Sequence, residues 1–262
     1  MARECIASIK RGLLFRFLLA TLQLQHVLRE KGKRNMKAAL TTIPKTTDAA
    51  FQNILNRIKK TRHTATTARR ALTWCYYTRR PLDMEELQVA IVVEDGDSEP
   101  REKENAGTIV DCCLSFIAHD STTRKVGFIH PSVQRWFDND PQRRFLLPHN
   151  YLAKTCLVYL NLDAFDVSID DSDEVAKIVG VYPFYGYVAQ FWGDHTRDVE
   201  EDSTVQQAAL MLIQAKNRQS LMLRIAAVIE HRFYATGQTA LHVAASRGLA
   251  SLCHLLLHGD VK

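Results

Sequence analysis

The residues able to do chemistry are few and scattered. Asp194-His195 has the makings of an acid–base pair, but no nucleophile is placed beside it, so the pair reads as loop-exposed. Cys112 and Cys113 stand side by side in an apolar run, as buried thiols do. Six cysteines are present (Cys5, Cys75, Cys112, Cys113, Cys156 and Cys253), none in a C-x-x-C and none near a histidine pair at zinc spacing. No metal site is expected, and the thiols fit a reduced, cytoplasmic protein. Gly32-Lys33 lacks the earlier glycine of a phosphate-cradling loop and is followed by Arg34. No G-x-S-x-G nucleophile turn, H-E-x-x-H or dinucleotide-binding glycine fingerprint occurs. The expectation is a chain with no catalytic residues and no cofactor.

Charge gives a second kind of signal. The 262 residues carry a net +5, but residues 1–80 hold 18 Lys and Arg against 3 Asp and Glu, and residues 81–262 hold 16 against 26. A basic N-terminal third binds phosphate or nucleic acid, or docks on the acidic remainder or a partner. The apolar stretch Gly12–Leu28 is broken by Arg16, Gln23, Gln25 and His26. It therefore reads as a buried or partner-facing helix, with no membrane contact.

These groups must be placed by helices. Leu14, Phe17, Leu18 and Leu22 recur at helical spacing, and a short helix follows over Asn35–Leu40. Thr47 or Asp48 caps the next one, with Phe51, Ile54, Leu55 and Ile58 on one face. The basic, polar Lys59–Thr67 reads as a hinge.

A unit of three helices and a hairpin follows. The first spans Ala65–Thr78, with Ala68, Ala71, Leu72 and Cys75 inward, and ends at Arg79-Arg80-Pro81. Asp83 caps the second, which carries Leu87, Ala90 and Ile91. After an exposed acidic loop, Glu94–Glu104, the third starts near Asn105 with Ile109, Val110, Cys113 and Leu114. Phe116–Ala118 and Val126–Ile129 read as strands around a polar turn, and Pro131 opens another helix. That order is a winged helix. Its third helix has no Lys or Arg and includes Asp111; only Arg124 and Lys125 in the wing favour DNA.

Beyond it, Tyr151–Leu160 is a helix and Asp163–Glu174 an acidic loop. Tyr182–Trp192 is rich in aromatics that pack a core, because no Lys or Arg interleaves them as base stacking would need. Ser203 or Thr204 caps a helix with Val205, Ala208, Ala209, Leu212 and Ile213 inward.

Thr236-Gly237-Gln238-Thr239-Ala240-Leu241-His242-Val243-Ala244-Ala245-Ser246-Arg247-Gly248, followed by Leu252, Leu255, Leu256, Leu257 and Gly259, resembles an ankyrin repeat. Ala240 replaces the usual proline and Leu249 departs mildly. The resemblance implies a turn locked by Thr239 and His242, with Gly237, Leu241 and Gly248 completing the motif. One repeat cannot bury both faces, so the chain is a cut array or the repeat packs on the helical region.

The order of parts resembles the region of fungal NACHT-type STAND proteins between the nucleotide-binding module and an ankyrin array. The matching pieces are Leu13–Leu24, Ile43–Phe51, Ala71-Leu72-Thr73-Trp74 with Arg80-Pro81-Leu82 and Glu85-Glu86-Leu87, Phe128-Ile129-His130-Pro131-Ser132-Val133, and Tyr182–His195. The winged helix also resembles the one named after GPI inositol-deacylase, without implying esterase activity. The resemblance implies a mainly α fold. A helical end of a NACHT-like module covers residues 1–62 and a small winged-helix (α+β) domain 63–140. A helical linker covers 141–232 and one ankyrin repeat 233–262.

It also implies a non-enzymatic scaffold and switch with protein partners; a nucleic-acid-binding winged-helix regulator is the alternative. In the family the histidine matching His130 contacts the β-phosphate of bound ADP. Here Arg135 replaces an acidic residue of that motif, and the nucleotide-binding elements would lie before Met1. His130 is then a nucleotide sensor or a buried structural residue, and this chain alone does not firmly bind nucleotide.

Overall fold

The structure, a computed structural model, describes residues 17–24, 26–28, 30–139, 145–168, 172–233 and 237–258. Cys5, Leu14, Thr236 and Gly259 lie outside the described residues. The fold is mostly helical with one small sheet.

Residues 17–24 and 26–28 are helical. Leu18 and Leu22 point inward, whereas Phe17, expected beside them, is exposed. Helix α1 is Lys33–Thr41 and α2 is Thr47–Lys60. Thr46, not Thr47 or Asp48, caps α2 by accepting from the Ala49 amide. Buried Phe51 packs against Phe116 and Trp136 with centroids 5.7 Å from each. That contact ties α2 to the winged helix. The expected hinge over Lys59–Thr67 is absent: α3, Arg62–Tyr77, begins one residue after α2 ends. Thr61 alone breaks the run, and buried Ala68, Ala71, Leu72 and Trp74 dictate the new axis.

Strand β1 is Leu82–Asp83, α4 Met84–Ala90, α5 Ala106–Cys112, β2 Ile117–His119 and β3 Lys125–Phe128. The sheet order is β1-β3-β2, antiparallel throughout, with Leu82 opposite Val126 and Ile117 opposite Phe128. The two-residue β1 is too short to show a period of its own, and pairing creates it. Asp83 and Glu86 form a reciprocal cap on α4, and Asn105 caps α5. Helix α6, Pro131–Asn139, closes this unit.

Residues 145–147 run along α3: Arg69 donates to the Phe145 and Leu146 carbonyls and Thr73 Oγ1 accepts from the Leu147 amide. They lead into α7, Asn150–Leu160. The expected acidic loop holds a 3-10 turn at Asp163–Phe165 and the start of α8, Ser172–Val181, where Asp173 and Glu174 favour a helix N-terminus. Helix α9 is Pro183–Arg197, α10 Ser203–Gln214 and α11 Lys216–Ile229. Asp202, not Ser203 or Thr204, caps α10, because a carboxylate accepts from both the Thr204 and Val205 amides. Helices α12, Ala240–Ser246, and α13, Ala250–His258, form the C-terminal hairpin. Among the described residues no helix is long and apolar enough to cross a membrane, and no three metal-ligating side chains cluster.

Helix α9 is the hub. It packs on α7, α8 and α11, and on α4 of the winged helix.

Candidate functional site: a buried polar joint on helix α9

Phe184, Tyr187, Phe191 and His195 recur every three or four residues, so they share one face of α9. That face meets Trp74 of α3, fully buried, whose ring lies 5.4 Å from Phe184, 5.7 Å from Tyr187 and 6.2 Å from His195, each edge-on. The aromatics expected to build core do so: Phe184, Tyr185, Tyr187 and Trp192 have no exposure.

Inside this packing lies a line of polar contacts. The Tyr187 hydroxyl accepts from the Arg79 amide at 3.0 Å and stands 2.8 Å from His195 Nε2. His195 Nδ1 is 3.0 Å from His149 Nε2, and His149 Nδ1 faces the Asp198 carboxylate at 3.3 Å. Tyr77 stacks on His149, and Arg79 pairs with Asp198. With both histidines neutral, one direction of donation satisfies every contact: Tyr187 O–H to His195, His195 Nδ1–H to His149, His149 Nδ1–H toward Asp198. Burial, then the neighbouring His149 and Arg79, lower the His195 pKa to about 3. Burial foremost pushes the Tyr187 hydroxyl up. The two groups hold their protons where they are near neutral pH.

The expected loop-exposed Asp194–His195 pair is therefore corrected. Both residues are on a helix; His195 has no exposure, while Asp194 turns outward to Arg197 at 2.7 Å. A helix separates neighbours by about 100°, so adjacent residues cannot act on one point.

Arg80 completes the joint. Its guanidinium lies 5.1 Å from the Tyr187 ring centre and grips Glu86 with two bonds of 2.7 and 2.6 Å. Burial works against the Arg80 charge, but the Glu86 carboxylate outweighs it and raises its pKa. Glu86, nearly buried, also accepts from the Asp83 amide, so the same carboxylate caps α4 and anchors the joint.

The opposite face of α9 receives the C-terminal hairpin, since Gly193 lies about 180° around the helix from Phe184. Gly193 leaves a notch for Arg247: a Cβ there would stand 2.9 Å from three Arg247 side-chain carbons. Arg247 donates to the Gln190 carbonyl at 3.0 Å, and Glu200 Oε1 accepts from the Ser251 amide at 2.6 Å and the Leu252 amide at 3.2 Å. Thr239 caps α12 by accepting from the His242 amide, and its hydroxyl lies 2.7 Å from His242 Nδ1. Gly237 and Gly248 have positive φ, Leu241 is half-buried, and His242 is exposed.

His130 sits between β3 and α6. Its Nδ1 accepts from the Ser132 amide at 3.1 Å and lies 2.8 Å from the Ser132 hydroxyl. It is half-buried rather than buried, and its contacts with Ser132 give it a local structural part in opening α6. Burial and the Arg135 charge lower its pKa. The wing cations are paired at the surface: Arg124 with Glu85 and Lys125 with Asp83, both at 3.0 Å.

Arg79, His149 and Asp198 carry no sequence motif of their own, whereas Arg80 and Glu86 stand in the Arg80-Pro81-Leu82 and Glu85-Glu86-Leu87 pieces that the sequence offered only as a resemblance. The visible signal was the spacing of Phe184, Tyr187, Phe191 and His195, which marks a helix face as well as an aromatic cluster.

Residues 55–146 match the family model described as the winged helix domain of GPI inositol-deacylase, a domain that occurs in NACHT-containing proteins. The match begins within α2 and ends at Leu146 beside α3. A winged helix of this kind is a regulatory or interaction unit. No curated protein and no solved structure matches the chain.

Proposed function

We propose that this chain is a non-enzymatic scaffold and switch element of a STAND-type signalling protein. The observation that carries the reading is that α9 holds the winged helix through Trp74, Tyr187 and His195, and the C-terminal hairpin through Gly193 and Arg247. A displacement on either face reaches the other through one packed helix. The hairpin serves as an ankyrin-type repeat presenting a surface to protein partners, with Thr239 and His242 locking its turn. His130, with Nδ1 accepting from Ser132, carries its proton on Nε2, the form that donates to a phosphate oxygen of a nucleotide held by a preceding module. Thiols at Cys75, Cys112, Cys113, Cys156 and Cys253 remain free, in keeping with a reduced cytoplasmic setting.

The joint supports a structural role for its polar groups, since no atom of Tyr187 or His195 is open to a substrate. The pairing of Arg124 and Lys125 with Glu85 and Asp83, and the absence of Lys and Arg from α5, favour a protein partner over DNA. The reading is tested by titrating the purified chain with ATP and ADP and assaying phosphate release. Neither saturable binding in the micromolar range nor release is expected; either one overturns it.

A further inference from the structure

We infer that the exposed faces of helical residues 17–24 and 26–28 and of α1, Lys33–Thr41, are a peripheral docking surface for an anionic lipid bilayer. Phe17, Leu24 and Leu28 are 69%, 59% and 60% exposed. Phe17 and Leu24, seven residues apart, lie within about 20° of each other on a helix of 3.6 residues per turn. Leu18 and Leu22, which are buried, lie on a different face. The segment therefore has two apolar faces, one packed on the protein and one facing out. Helix α1 follows with Lys33, Lys37 and Leu40, spaced four and three residues apart and so within about 60° of each other. Leu40 is 55% exposed. Lys31, Lys33, Arg34 and Lys37 are all exposed, and none forms an ion pair with another described residue.

Charge complementarity decides the occupant. Exposed cations that follow exposed Phe and Leu side chains in the chain, and share α1 with exposed Leu40, fit a surface that is negative outside and hydrocarbon just beneath. Nucleic acid would use the cations but gains nothing from Leu24, Leu28 and Leu40, which neither stack on bases nor bond phosphates. An acidic protein face would leave the same leucines against charge. The helices lie on the bilayer and do not span it, since no described helix is long and apolar enough to cross; the expectation of no membrane contact rested on the lack of a spanning stretch and does not cover a helix lying on the surface. This inference stands apart from the scaffold reading, because it uses none of the residues of the α9 joint.

The test is flotation of the full 262-residue chain with phosphatidylcholine vesicles made with and without phosphatidylserine, at low and high salt. The expected result is binding only to the phosphatidylserine vesicles, lost at high salt. Lys33→Ala/Lys37→Ala should weaken it about 25-fold, at about fivefold per basic side chain. Leu24→Ser/Leu28→Ser should weaken it comparably, and both variants should keep the wild-type melting temperature because the side chains are exposed. Equal binding to both vesicle types, no binding to either, or variants that bind like wild type would overturn the inference. So would a concentration-dependent dimer abolished by Leu24→Ser/Leu28→Ser without vesicle binding, or tighter association with duplex nucleic acid than with the anionic vesicles.

Discussion

Tyr187 and His195 lie two turns apart on helix α9, yet their side chains meet, Tyr187 Oη standing 2.8 Å from His195 Nε2 with neither residue exposed. The contact satisfies two polar groups that Trp74 and Phe184 would otherwise strand in an apolar interior.

Tyr187→Phe removes the acceptor of the Arg79 amide and the partner of His195 while leaving the ring packing in place. The expected cost is about 1–3 kcal/mol, the usual price of a buried polar group left unpaired. Urea unfolding measures it; an unchanged midpoint would show that water replaces the hydroxyl.

His195 makes stability fall with acid. Its folded pKa, about 3, lies below the ordinary 6.5, so the unfolded chain binds the proton more readily. The contribution is fully present above about pH 6.5 and is lost as pH falls toward 3, at up to about 1.4 kcal/mol per unit. His195→Gln keeps a hydrogen-bonding group without the titration, so its stability should be flatter between pH 6.5 and 4.5 than that of wild type. Parallel curves would contradict this. Asp202, whose carboxyl is held low foremost by Thr204 and Asn150, acts in the same direction only at lower pH.

Gly193→Ala places a methyl group against Arg247. Overpacking of this kind costs about 1–3 kcal/mol. Adding Arg247→Ala removes Cγ and Cδ, two of the three crowding carbons, so the double variant should lose less than the two single losses combined. Strict additivity in denaturant unfolding would mean that the two residues do not press on each other.

Glu86→Ala removes the second half of the α4 cap and leaves Arg80 without its bidentate partner. Arg80 is 30% exposed and can reach water, so the expected loss is about 2–3 kcal/mol, below that of a fully buried pair. A melting temperature within error of wild type would rule this out.

The winged helix was legible because its signals are local: Asp83 and Asn105 as caps, Pro81 and Pro131 as boundaries, and apolar strands around a polar turn. The two-residue β1 was not, since only pairing with β3 makes it a strand. Helix caps slipped by a residue, as at Thr46 and Asp202, where several neighbouring residues can cap and backbone direction chooses. Asp194 and His195 misled because adjacency in sequence resembles a reactive pair, while on a helix it sends one side chain into the core and the other to solvent. Contacts such as Gly193 with Arg247, or His149 with His195, join residues far apart in sequence, and no spacing rule reaches them.

The central claim is that α9 couples the C-terminal hairpin to the winged helix. Hydrogen exchange of Arg247→Ala, followed by mass spectrometry, tests it most directly. The account predicts faster exchange in the hairpin, residues 237–258, and also in the segment around Thr78, Arg79 and Arg80 that Tyr187 holds. Faster exchange confined to the hairpin would contradict it.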